Sequence, residues 1–186
     1  MRIREISIGL LLCVFFIGCS SSKKAVVANP ALDALISEQS FKFEVKTVEP
    51  QVTTALQQIA NSGLIPPGNT IGNINVAGAG YFLSMEGDQV KANMPYYGER
   101  QMGGGYDSDS GIEFEGTAKD LKIEKDELKQ RYTISFTVNG SDENYFVTIT
   151  TSANMNAEVW VRSSHRNRIR YNGAVAELSS EKLASR

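Results

Sequence analysis

Between residues 132 and 150, apolar and polar side chains alternate twice across a four-residue turn. Tyr132, Ile134, Phe136 and Val138 occupy every second position against Thr133, Ser135 and Thr137. After Asn139-Gly140-Ser141-Asp142 the alternation resumes, with Tyr145, Val147 and Ile149 against Thr148 and Thr150. A helix repeats its faces about every 3.6 residues, whereas a period of two belongs to strands with one face buried and one in water. Parallel strands, covered on both faces, read instead as continuous apolar runs. The pattern therefore ties this part of the chain to an antiparallel sheet.

The same signal recurs on both sides. Phe41, Phe43 and Val45 alternate with Lys42, Glu44 and Lys46, and residues 81–85 and 90–94 flank Glu86-Gly87-Asp88-Gln89, a hairpin signal. Ile112 and Phe114 alternate with Glu113 and Glu115, residues 121–125 form a further strand, and residues 157–162 and 168–171 form a last hairpin around residues 163–167. Two stretches have helical spacing. One is residues 31–40, with Leu32, Leu35 and Ile36 on one face and Asn29 or Pro30 at its start; the other surrounds Leu56, Ile59 and Ala60 and ends at Gly63. Pro66-Pro67-Gly68-Asn69 stops any regular element. The spacers of a parallel βαβ unit are missing. The expectation is an all-β, mainly antiparallel fold: a sandwich or partly closed barrel of about eight to nine short strands with one or two short peripheral helices.

Ahead of this domain, Arg2 and Arg4 precede an apolar run over residues 6–17 that is too short to span a bilayer, followed by Gly18 and Cys19. The arrangement resembles a bacterial lipoprotein signal with its lipobox, which implies cleavage before Cys19 and lipidation of Cys19. The expected organisation is a leader over residues 1–18, a lipidated tether over 19–30, a β-rich domain over 31–173, and a tail over 174–186 carrying a turn or two of helix. Ser20, where an acidic residue would favour the inner membrane, points to the outer membrane, and Lys23-Lys24 lacks the acidic run of a surface-export signal. The expected location is the periplasmic face of the outer membrane.

Composition excludes several chemistries. With 19 basic and 21 acidic residues the formal charge is -2, and removal of Arg2, Arg4 and Glu5 with the leader takes it to -3. A nucleic-acid binder would show a basic footprint instead. The two cysteines are Cys13, inside the leader, and Cys19. The mature domain then has neither a disulfide nor a catalytic thiol. His165 is the only histidine and stands among Arg162, Arg166 and Arg168, whose charges disfavour the imidazolium a general base must become. Gly103-Gly104-Gly105 is followed by Tyr106-Asp107-Ser108-Asp109, which repels phosphate, and Gly78-Ala79-Gly80 precedes a strand rather than a helix. Asp107, Asp109 and Glu113 lack the glycine and the final bidentate glutamate of a calcium loop. No enzyme activity, metal or cofactor is expected.

Two surfaces remain. Tyr96, Tyr97, Arg100, Met102 and Tyr106 share a glycine-rich loop that suits a contact surface, with sealing of the sheet end by Tyr96 or Tyr97 as the structural alternative. Arg162, Arg166, Arg168 and Arg170 cluster in the last hairpin, where they suit an anionic headgroup, glycan or partner. The plainer alternative is a solvated face paired across strands with acids such as Glu113 and Glu115.

Gly87-Asp88, Pro95-Tyr96-Tyr97-Gly98, Gly111-Ile112-Glu113-Phe114, the strand over 132–138, Ile169-Arg170-Tyr171-Asn172-Gly173 and the opening Phe41-Lys42-Phe43 together resemble the bacterial family termed domain of unknown function 4251. The resemblance implies a secreted or lipid-anchored envelope protein and brings no activity or catalytic residue with it. The chain departs from the family pattern in its longer stretch over residues 52–77. The functional expectation is a non-enzymatic binding or structural module that meets an envelope protein, glycan or lipid. The alternative is a carrier holding an apolar ligand inside a lipocalin-like barrel. The two differ in whether the strands around Phe41, Tyr132 and Tyr145 enclose a cavity or a packed core.

Overall fold

A computed structural model describes residues 27–63, 68–101, 111–141 and 143–178. Cys19 and the leader, most of the tether, Met102, Tyr106, the Gly103 to Gly105 run, Asp107 and Asp109 lie outside the described residues. In chain order the elements are α1 (Pro30–Ser37), β1 (Ser40–Pro50), α2 (Thr54–Asn61), β2 (Ile74–Asn75), β3 (Phe82–Glu86), β4 (Gln89–Met94), β5 (Ile112–Thr117), β6 (Lys119–Asp126), β7 (Arg131–Asn139), β8 (Asn144–Ser152), β9 (Asn156–Ser163) and β10 (Ile169–Glu177).

Nine strands form one continuous path, β5-β4-β3-β1-β10-β9-β8-β7-β6, and β2 adds to β1 beside it. Each pairing is antiparallel. One end of the path curls back toward the other: a Cβ on Gly116 of β5 would lie 3.6 Å from Val138 of β7, the neighbour of the last strand, β6. Phe114 of β5 and Tyr145 of β8 hold their ring centroids 5.1 Å apart. The result is a nearly closed barrel, which decides between the two architectures expected from sequence. β6 stays at the margin, and its run of Lys119, Asp120, Lys122, Glu124, Lys125 and Asp126 discourages pairing with another chain.

The alternation sorts side chains as a barrel requires. Phe41, Phe43, Val48, Leu83, Met85, Ile134, Ile149, Val159 and Tyr171 point inward and have no solvent exposure at all. A ligand-sized space among them would show as exposure, so the described interior is filled by its own side chains. α1 covers the end where β1 begins. Asn29 caps it by accepting from the backbone N–H of Ala31 and Leu32, at 3.1 and 3.4 Å, with Pro30 at the first helical position. Leu32 and Ile36, one turn apart, drop into the core. Asn29 also donates to the Ala153 carbonyl at 2.7 Å, and Tyr132 donates to Asp33 at 2.6 Å. These bonds fix the chain where it enters the domain.

A register shift in β1 shapes the outer wall of the barrel. β1 slips against β10 between Val45 and Thr47, a bulge that leaves both Lys46 and Thr47 on the outer face while Val45 and Val48 stay inside. The expected tail is corrected at this edge. β10 continues past Gly173 to Glu177, with Val175 buried opposite Phe43. Tyr171, Gly173 and Val175 keep the period of two, but a glycine in the middle hides it from a reading by hydrophobicity.

Candidate functional site

Because Val159, Val161, Ile169 and Tyr171 face the core, the residues between them stand on the outer wall of β9 and β10. Register then builds rows across strands. Thr148, Trp160, Arg170 and Glu49 form one row, and Thr150, Glu158, Asn172 and Thr47 form the next. The guanidinium carbon of Arg168 lies 3.5 Å from the centre of the Trp160 ring, and that of Arg170 lies 5.1 Å away. The indole N–H of Trp160 donates to Glu158, Arg170 pairs with Glu49 and, at 3.2 Å, with Glu158, and Asn172 donates to Glu49 at 2.7 Å. A groove of about 460 Å³ bordered by Glu49, Pro50, Val52, Gly72, Trp160 and Arg168 opens beside this network. In the neighbouring row Arg162 covers the ring of Phe146 at 4.7 Å, and Phe146 is 43% exposed. An indole, planar guanidinium groups and amides on an open wall suit ligands with hydroxyl and anionic groups.

A second cluster closes the end of the barrel opposite the start of β1. Glu143 accepts from Arg166 Nε at 2.7 Å, and Arg100 approaches the same oxygen at 3.6 Å. Glu143 and Arg166 are 5% and 7% exposed. Burial acts to raise the Glu143 pKa, but hydrogen bonds with Ser163 and Arg166 and the Arg166 charge outweigh it and hold the carboxyl below its ordinary range. The Arg166 guanidinium sits 5.0 Å from the Tyr96 ring, and the Tyr96 hydroxyl donates to the carbonyls of Glu99 and Asn167 at 2.9 and 3.2 Å. Gln101 N–H donates to the His165 carbonyl at 2.7 Å, and the buried Tyr171 hydroxyl donates to the Pro95 carbonyl at 2.8 Å. Burial raises the Tyr171 and Tyr96 pKa values, so both stay neutral donors. The 95–101 segment is thus bolted to the β9–β10 loop.

The four arginines therefore do not act together. Arg168 and Arg170 share the Trp160 face, Arg162 lies over Phe146, and Arg166 turns inward to Glu143. Their expected partners are corrected too: Glu115 pairs with Lys91 at 2.7 Å, whereas Arg170 takes Glu49 and Glu158. The reason is topological, since β4, β3 and β1 stand between β5 and β10 in the sheet. In the loop surface, Tyr96 is hydrogen-bonded to the Glu99 and Asn167 carbonyls, Arg100 approaches Glu143, and Tyr97 is half-buried against the core. Among the described residues no group of three or more His, Cys, Asp or Glu side chains is placed to hold a metal ion. Sequence reasoning passed over Trp160, Glu49, Glu158 and Glu143. The available signal for Trp160 was its position between inward Val159 and Val161 on an alternating strand.

No helix among the described residues is long and apolar enough to cross a membrane. No curated protein matches the chain. A crystal structure of a DUF4251 family protein from Bacteroides eggerthii DSM 20697, at 1.95 Å resolution, is similar in fold, with a TM-score of 0.52 and 16% identity over 78% of this chain and 84% of that one. The family described as domain of unknown function (DUF4251) matches residues 24–175. With that span covering the whole barrel up to the last two residues of β10, the chain belongs to the DUF4251 family.

Proposed function

We propose that this protein is a lipid-anchored envelope protein, held through Cys19 on the periplasmic side of the outer membrane, that works as a non-enzymatic binding module through the outer wall of its sheet. The observation that carries the reading is the pairing of a filled interior with an indole and two guanidinium groups gathered on the outside. A carrier would need the reverse, a hollow lumen behind an inert wall. The anchor rests on the basic start, short apolar run and Gly18-Cys19 junction. From Cys19 to the cap at Asn29 the tether is about ten residues, reaching at most roughly 35 Å from the bilayer.

Two measurements test this. Cys19→Ala is expected to move the protein from the membrane to the soluble fraction with unchanged thermal stability, and persistence in the membrane would overturn the anchor. Trp160 is the only tryptophan, so its emission reports on the outer wall alone. Polysaccharide, protein and lipid fractions of the envelope, added separately, should include one that shifts that emission. If none does, the binding face lies elsewhere.

A further inference from the structure

Beside the Trp160 network, the outer wall carries an open trough of about 550 Å³ that crosses five strands. Lys46 of β1 borders it on one side and Arg131 of β7 on the other, with Thr47, Thr150, Ser152 and Asn156 among the lining residues between them. The β1 bulge sets Lys46 on this face, since without the extra residue Lys46 and Thr47 would point to opposite sides. Among the described residues neither Lys46 nor Arg131 has an ion-pair partner, and Arg131 Nε is buried with no hydrogen-bond partner. Glu158, the acid among the trough's lining residues, is occupied by Arg170 and by the Trp160 N–H. An anionic ligand lying in the trough would compensate the two charges.

We infer that this trough binds an acidic oligosaccharide, with carboxylates at Lys46 and Arg131 and ring hydroxyls on the threonine, serine and asparagine side chains between them. The inference rests on the outer-wall reading and adds the ligand class. Size supports it: β1 and β7 are four strand spacings apart, roughly 19 Å at the backbone. One phosphate or carboxylate at Arg131 leaves Lys46 unmet, whereas a chain of two or three sugar rings extends along the trough. An extended peptide is disfavoured because all five strands already have neighbours on both sides, so no backbone edge is free for strand addition. An anionic bilayer is disfavoured because acids crowd the same end of the barrel, with Glu124, Asp126 and Glu127 beside Lys125 and Lys129.

Calorimetry of the full chain in detergent, with trigalacturonate and its fully methyl-esterified form, tests the inference. The two sugars share their rings and differ in charge. The acidic form should bind, more weakly as salt rises, and the ester at least about ten-fold less tightly. Lys46→Gln combined with Arg131→Gln should lower affinity for the acidic form by about ten-fold or more without changing the melting temperature. Equal affinity for both sugars would overturn the acidic class while leaving outer-wall binding intact. Acid-selective binding unchanged in the double variant would place the site outside the trough and overturn the inference, and Trp160 emission unshifted by the same sugar would remove the outer-wall reading as well. No heat from either sugar, together with variant-sensitive binding to phosphatidylglycerol vesicles, would replace the saccharide by a membrane surface.

Discussion

Gly173→Ala is expected to be the most damaging single substitution in the barrel. A Cβ at this position would lie 1.9 Å from the Glu44 carbonyl oxygen, 2.9 Å from its carbonyl carbon and 2.9 Å from the Phe43 ring. The first two atoms belong to the backbone of the paired strand, so no rotamer change relieves the contact. β10 would have to move away from β1 at the bulge, opening the seam between the two strands at the middle of the sheet order. Overpacking against side chains alone costs about 1–3 kcal/mol. A backbone clash belongs above that range, at roughly 4 kcal/mol. For a domain of this size the melting temperature should fall by roughly 10 °C or more, measured by circular dichroism. A fall of a degree or two would mean that β1 and β10 separate more easily than the packing implies.

Glu143→Ala should cost nearly as much. It removes the carboxylate that accepts from Arg166 Nε at 2.7 Å, at a site where Arg166 is 7% exposed and Arg100 lies nearby as a like charge. Breaking a buried pair by removing one partner costs about 3–5 kcal/mol. A Glu143→Met, Arg166→Met double variant should lose less than the sum of the two single variants, because both partners of one interaction are removed together. The pair also sets an acid sensitivity. Since folding lowers the Glu143 pKa, its contribution is complete above the ordinary glutamate range and disappears as pH falls through the folded value. Urea titrations at neutral and acid pH should therefore show a smaller loss of stability on acidification for Glu143→Gln than for the unaltered protein. Equal losses would mean that Glu143 is not the acid-sensitive group.

The strands were legible because one face of each meets the core and the other meets water, which writes a period of two directly into residues such as Tyr132 to Val138 and Tyr145 to Ile149. Closure was not. Whether β5 approaches β7 depends on strand tilt and on Gly116 lying beside Val138, and neither leaves a mark on hydrophobic periodicity. The arginine cluster shows the same division. Alternation correctly set Arg168 and Arg170 opposite Ile169 and Tyr171, but Arg166 lies in a loop without a period. Its turn toward Glu143 arises from a contact 23 positions away in sequence. Lys46 and Arg131 could be joined only by sheet order and by a bulge, so the trough they border is a product of topology.

Binding on the outer wall over a filled interior is tested most directly by amide chemical-shift mapping of the full chain in detergent with trigalacturonate. The shifts should gather at Lys46 to Glu49 of β1, Arg131 of β7, Thr150 to Ser152 of β8, Asn156 to Trp160 of β9, and Arg170 to Gly173 of β10, with the Trp160 indole N–H among them. An unchanged spectrum would contradict the saccharide as the ligand, and shifts gathered instead at Tyr96 to Gln101 would contradict outer-wall binding itself.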